Sequence, residues 1–451
     1  LHDNAKIRDF VDSVAQYHFI RALRISTPSF DQRTVEAVRF LEQQRMLISN
    51  PRAIHVAYPD TLRTILNVES ADQSRAWLSV WNLISQQATP LWELPDAASQ
   101  LGIAGLCVKD ESFRSPLGSF KALGAPIALM RLVMRLWHAH DIEPQALIEG
   151  RYAGMLANLT VISATDGNHG KALAAAAQSI GCHCVIVLHA NVSAEREQAI
   201  AAYGARIVRI AGNYDESVEH AATLAKNNGW HVVSDTSYDG YEAIPRDVMQ
   251  GYGTIAAEII EQSADAPAFT HVFLQGGVGG LAAGVASYLW ERGGAQRPRF
   301  IVVEPRQADC LYQSAIAGHA ARATGSVDSV MAGLACGETS PLAWKILEQC
   351  IDDFMLIDDD DAVDAMRRLA KSAGDDVPLV AGESGAAGFA GLCALMRDGE
   401  RARAAGLDRH ARVLVINTEG ATAPEAYAQF VGESAQAVAA RQQAWLPSCV
   451  R

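Results

Sequence analysis

No uninterrupted apolar run in the 451 residues approaches the roughly 20 that a bilayer-spanning helix requires, although 49% of the chain is hydrophobic. That apolar content is expected to be folded into cores, as in a soluble protein. Positive charge is scarce: 38 Lys and Arg against 51 Asp and Glu leave a formal net charge of -13. The basic residues are scattered rather than gathered in a stripe, which argues against a nucleic-acid surface. Cysteine is sparse too, eight residues in all, and most lie inside apolar strand or helix patterns, as expected in a reducing cytoplasm. Cys182-His183-Cys184 and His138-Ala139-His140 each lack a second ligand pair, so no metal is expected. No charged-then-apolar leader opens the chain, and nothing indicates export.

What is present is length enough for two or more domains, since single cores stop growing at about 250–300 residues. Residues 1–50 read as two helices: Ile7, Phe10, Val11, Val14 and Tyr17 are spaced for one, and Val35, Val38, Leu41 and Met46 for the other, with Thr27-Pro28 between them. From about residue 159 short apolar strands alternate with helices, the pattern of parallel sheet covered on both faces. The expected strands are 160–163, 184–188, 206–210, 231–234, 272–275, 300–304 and 412–416. In such sheets ligands bind at the carboxyl ends of the strands.

The stretch Ser115 to Gly124, S-P-L-G-S-F-K-A-L-G, puts Lys121 ahead of a strongly apolar helical pattern running to Trp137. The spacing predicts Lys121 in the first turn of that helix. There a lysine can be stripped of water and made nucleophilic, and the dipole favours an anion or a neutral amine. Three later loops follow strands. Ser163 to Gly170, S-A-T-D-G-N-H-G, offers an anion cradle at a helix start, or equally a turn capped by Asp166 or Asn168. Gln275 to Gly280, Q-G-G-V-G-G, allows a phosphate to approach the backbone. It also fits a dinucleotide fingerprint, with Glu304 as the ribose acid of an NAD-dependent dehydrogenase. That reading leaves Lys121 without a role. The third loop, Asn417 to Thr422, N-T-E-G-A-T, supplies a hydroxyl at Thr418 for a ring nitrogen or a helix cap. Asp358 to Asp361 reads as a solvated, dipole-favoured helix start.

Taken together, these four motifs resemble the pyridoxal-phosphate enzymes of fold type II, the tryptophan-synthase-β type. D-T-S-Y-D-G-Y (235–241), I-P-R-D-V-M-Q-G-Y (244–252), V-E-P-R-Q-A-D-C-L-Y (303–312), M-A-G-L-A-C-G-E (331–338) and G-E-S-G-A-A-G (382–388) narrow the resemblance to the diaminopropionate ammonia-lyase family. It covers about residues 88 to 430. It implies an α/β fold of two parallel-sheet domains with the cofactor between them: a large one from 51–120 and 250–451, a small one from 121–249, and a helical extension over 1–50. By the same resemblance Lys121 carries pyridoxal 5'-phosphate covalently, Asn168 meets the ring hydroxyl, Gly276, Gly277, Val278, Gly279 and Gly280 hold the phosphate, and Thr418 faces the pyridine nitrogen. Lys121, Asp166 and Asp235 are the implied catalytic groups, with Lys121 the base for L-diaminopropionate and Asp166 for the D-isomer. Ser119, Thr165, Asp166 and Tyr238 are placed around the substrate.

The implied reaction is α,β-elimination of 2,3-diaminopropionate to pyruvate and two ammonia, by a cytoplasmic homodimer. Two positions depart from the family: Gly118, commonly asparagine, and Tyr238, usually tryptophan. They leave open a dehydratase acting on serine, threonine or 3-hydroxyaspartate.

Overall fold

The structure is a computed structural model that describes residues 46–446, apart from positions 166 and 213. The helices expected over residues 1–50 fall largely outside the described residues, as does Asp166. The chain divides into the units Leu1–Ile48 and Ser49–Arg451, and the second holds everything described below.

Two sheets dominate this unit. In the larger, the strands after residue 50 lie in the order Asp353–Ile357, Arg299–Pro305, His271–Gln275, Arg412–Asn417, Gly105–Asp110 and Leu91–Glu93. All neighbours pair in parallel except the last, which runs antiparallel to Gly105–Asp110. The smaller sheet, Arg206–Arg209, His183–Leu188, Thr160–Ala164 and His231–Val232, is wholly parallel. Central strands such as His271–Gln275 are buried at every residue. This is why they read as unbroken apolar runs rather than alternating ones.

Strand Asp353–Ile357 was not expected from the sequence. Its FMLI run is short and continues directly into the acidic start of helix Asp359–Lys371, which Asp358 and Asp361 close with a reciprocal capping box.

A 20-residue helix, Ala243–Gln262, is the central pillar. It packs on helices Gly280–Gly293, Val68–Leu78 and Ala125–Leu136, and its residues are almost all buried from Ile244 to Ile259. Gly251 explains the close approach: a Cβ there would stand 2.0 Å from the carbonyl oxygen of Leu123, so the pillar lies directly behind the lysine turn. No helix among the described residues is long and apolar enough to cross a membrane.

Candidate active site

The expected position of Lys121 requires a correction. It lies in a 3-10 turn, Phe120–Leu123, and the long helix begins only at Ala125. Pro126 sets that start, because a proline has no N–H to donate and suits the first helical turn. The turn is fixed from both sides. Phe120 N–H donates to the Thr418 carbonyl (3.0 Å), Gly420 N–H donates to the Gly118 carbonyl (3.0 Å), and Lys171 Nζ donates to the Leu117 carbonyl (3.1 Å).

Lys121 opens into a cavity lined by residues following the carboxyl ends of strands from both sheets. Thr165, Asn168, His169 and Asp235 come from the small sheet's side, and Gly276, Gly277, Val278, Gly280, Thr418 and Glu419 from the large sheet's side. The structure therefore brings together residues that the sequence spreads from Lys121 to Glu419.

Lys121 Nζ donates to Asp235 Oδ2 at 2.5 Å, with both side chains less than a fifth exposed. Burial alone would lower the lysine's pKa, but the adjacent carboxylate outweighs it and holds the amine above its ordinary value. Burial likewise opposes charge on Asp235, and Lys121 and His169 override it, keeping the carboxyl below its usual range. The rings of Phe120 and Tyr252 flank the amine, with centroids at 5.2 and 5.9 Å. His169 Nε2 meets the Val233 carbonyl at 2.9 Å. Burial first of all lowers the imidazole's pKa, which favours the neutral tautomer that donates from Nε2. Its buried Nδ1 then has no hydrogen-bond partner and sits 3.8 Å from Asp235 Oδ2.

Thr165 ties the Ser163–Gly170 loop together: its Oγ1 accepts from the N–H groups of Gly167 (3.1 Å) and Gly170 (3.2 Å). Asn168 Nδ2 donates to Glu419 Oε2. In the glycine loop, Gly279 takes φ +99° as the N-cap of helix Gly280–Gly293, and a Cβ there would lie 2.7 Å from Leu347 Cδ1. The first turn of that helix, Gly280 and Leu281, faces the cavity, where unpaired N–H groups and the helix dipole favour an anion.

Glu304 is not available to a ribose. It is fully buried beneath the glycine loop, and its two oxygens accept from the N–H groups of Leu311 (2.9 Å) and Tyr312 (2.7 Å). Tyr238 is also placed differently from expectation. It stacks on Tyr241 (centroids 4.7 Å apart), is 43% exposed, and is not among the residues lining the cavity. Ser119 is buried behind the wall and bridges to Glu419.

Sequence reasoning assigned no role to His169, Tyr252, Arg196, Glu383 or Glu419. All but Arg196 lie inside motifs already singled out, so the signal was there but not their direction. Arg196 carries no motif.

These residues fit pyridoxal phosphate. One lysine amine is held in the cavity for a covalent bond, a glycine-rich helix start is suited to a phosphate, and Asn168, Thr418 and the orphaned His169 Nδ1 are polar groups for a ring and its substituents.

Comparison with known proteins agrees. Residues 84–419 match the model of the pyridoxal-phosphate dependent enzyme family. Diaminopropionate ammonia-lyase of Escherichia coli (strain K12) is 40% identical over 355 residues, covering 78% of this chain and 89% of that protein. A biosynthetic L-threonine dehydratase of Haemophilus influenzae is 29% identical over 306 residues, covering 68% of this chain and 52% of that protein. Among solved structures, diaminopropionate ammonia lyase from Escherichia coli, in complex with an aminoacrylate-PLP azomethine reaction intermediate, superposes with a TM-score of 0.77 at 35% identity, covering 85% of this chain and 96% of that one. The cofactor is pyridoxal 5'-phosphate, and the chain belongs to the diaminopropionate ammonia-lyase family, carbon–nitrogen lyases of fold type II.

Proposed function

We propose that this chain eliminates ammonia from 2,3-diaminopropionate, giving pyruvate and two ammonia. The carrying observation is the cavity that joins Lys121, Asp235, Asn168 and the glycine loop in a chain 40% identical to a diaminopropionate ammonia-lyase.

When bound, pyridoxal phosphate supplies an electron sink conjugated to the substrate's α-carbon. In this reading Gly276, Gly277, Val278, Gly279 and Gly280 hold the phosphate, Asn168 and Thr418 orient the ring, and Thr165 shapes the wall around the substrate with Ser119 supporting it from behind. Lys121 takes the α-proton from one face, serving the L-isomer. Asp166 takes it from the other, serving the D-isomer. Asp235, at 2.5 Å from Lys121 Nζ, sets the protonation of that amine before loading and holds a proton for it afterwards. The buried walls keep bulk water from the reacting carbon. The aminoacrylate set free by loss of the β-amine hydrolyses to pyruvate with release of the second ammonia.

The same reading makes the enzyme a cytoplasmic homodimer. Buried, unpaired cysteines such as Cys107, Cys310 and Cys350 suit a reducing compartment, and closed twofold assembly is the commonest oligomeric form. A second reading, dehydration of a hydroxy-amino acid, draws on the similarity to an L-threonine dehydratase.

Ammonia and pyruvate released by the purified holoenzyme from D- and L-diaminopropionate, serine, threonine and 3-hydroxyaspartate separate the two. Two ammonia per pyruvate from either diaminopropionate isomer is the expected result. Activity on the hydroxy-amino acids alone would move the function to a dehydratase. Lys121→Ala is expected to abolish turnover, and Asp166→Asn to impair the D-isomer more than the L-isomer.

A further inference from the structure

Beyond the lysine, the most conspicuous unused chemistry is a pair of buried carboxyls where the cavity meets an adjoining cleft. Glu419 lines the cavity and is 3% exposed; Glu383, 2% exposed, lines the adjoining cleft. Arg196 and Tyr214 line both spaces, so the two adjoin at Arg196. Glu419 is well provided for: Oε1 accepts from Ser384 N–H (3.1 Å), and Oε2 accepts from Asn168 Nδ2 and Thr422 Oγ1. Glu383 is not. Among the described residues its Oε1 has only Arg196 Nη2, at 3.5 Å, and its buried Oε2 has no hydrogen-bond partner.

A buried carboxylate oxygen without a partner is costly, and a cation offsets that cost better than any neutral donor. Burial, and then the negative charge of Glu419, push the Glu383 carboxyl up to about 7, so the site carries a charge deficit that an incoming ammonium relieves. A diamino acid brings a second ammonium, and a hydroxy-amino acid does not.

Resting on the function proposed above, we infer that Glu383, with Glu419 behind it, receives the distal ammonium of the substrate and is the residue that selects a diamino acid over a hydroxy-amino acid. Arg196 competes for the same carboxylate in the resting enzyme and yields it when the substrate enters.

The test compares 2,3-diaminopropionate with serine on the Glu383→Gln holoenzyme. KM is measured for the first, and the dissociation constant of the second is read from the absorbance of the bound cofactor. Losing one charge-assisted hydrogen bond should raise KM for diaminopropionate about 10- to 100-fold, with serine affinity unchanged within about threefold. Equal losses for both ligands would make Glu383 merely structural, and no loss for either would remove it from the site; both overturn the inference. Should Glu383→Gln fail to fold, Arg196→Gln supplies the test. Freeing the carboxylate from its competitor should shift preference toward diaminopropionate over serine severalfold, and an unmoved ratio overturns the inference. If the wild type releases no ammonia from diaminopropionate, the function and this inference fall together. If it does and the ratio is unmoved, only the inference falls.

Discussion

Asp235→Asn should lower the pKa of Lys121 and enlarge the share of its amine that is neutral. In the wild type the 2.5 Å contact with Asp235 is the main influence raising the lysine's pKa, and burial is what opposes it. The amide keeps the shape but removes the charge, so burial prevails. Removing one partner of a buried pair costs about 3–5 kcal/mol while the other stays charged. With the carboxylate's contribution gone, burial is the main influence left, and it holds the amine below its ordinary value.

The sign reverses with the substitution. In the wild type the folded pKa lies above the unfolded one, so the pair's stabilisation is complete at neutral pH and is lost only as pH rises through the raised value. In Asp235→Asn the folded pKa lies below it, so the penalty is complete at low pH and fades as pH rises toward about 10. The assay is the rate at which the apoprotein takes up pyridoxal phosphate, followed by colour from pH 6 to 10, because only the neutral amine attacks. About one wild-type lysine in a thousand is neutral at pH 7.4 even at the ordinary pKa, and each unit by which burial lowers that pKa raises the neutral fraction about tenfold, so the variant should load at least about tenfold faster and level off at a lower pH than the wild type. A variant profile that overlies the wild type, or levels off at higher pH, would refute this account.

Gly279→Ala combines a left-handed φ of +99° with a Cβ 2.7 Å from Leu347 Cδ1. Strain of about 1–2 kcal/mol and overpacking of about 1–3 kcal/mol should weaken pyridoxal phosphate binding at least about tenfold in equilibrium dialysis; an unchanged Kd would contradict the cradle. Glu304 is pushed up to about 8, chiefly by burial, above its unfolded value. It therefore stabilises the fold fully below about pH 4.5, and the contribution is lost as pH rises through about 8. Glu304→Gln should cost about 1–3 kcal/mol at pH 6 by turning a donor toward an N–H, yet flatten the fall in urea midpoint between pH 6 and 8; an unaltered slope would exclude Glu304 as its source. Glu258→Gln leaves the buried Lys109 and Arg114, which donate to its carboxylate at 2.7 Å, with only Glu111 to balance them. Denaturant unfolding should show a loss of about 3–5 kcal/mol, and a loss below about 1 kcal/mol would mean that the cluster rearranges.

Why some of this was legible in the sequence and some was not follows from the range of the forces involved. Strands such as His271–Gln275 announce themselves because a parallel sheet buried on both faces demands continuous apolar runs, and the loops worth inspecting follow from the carboxyl-end rule. The lysine turn was misplaced because the apolar spacing runs unbroken from Ala122 to Trp137, and only Pro126 marks the true start of the helix. Pairings across the cavity leave no local trace at all. Lys121 meets Asp235 across 114 positions, Arg196 meets Glu383 across 187, and Asn168 meets Glu419 across 251.

Residues inside recognisable motifs were found without their orientation. Tyr238 was expected at the substrate because its motif is there, yet the backbone turns it onto Tyr241 instead. Arg196 stands outside every motif, on an otherwise ordinary helix, Ala194–Ala201. It reaches Glu383 because Gly167 leaves room for its side chain, whose Cδ lies 3.3 Å from where a Cβ would stand. The sequence motifs thus report which loops carry the chemistry, Glu383 and Glu419 among them, whereas the pairings that bring these carboxyls to Arg196 and Asn168 come from the packing of one sheet's loops against the other's.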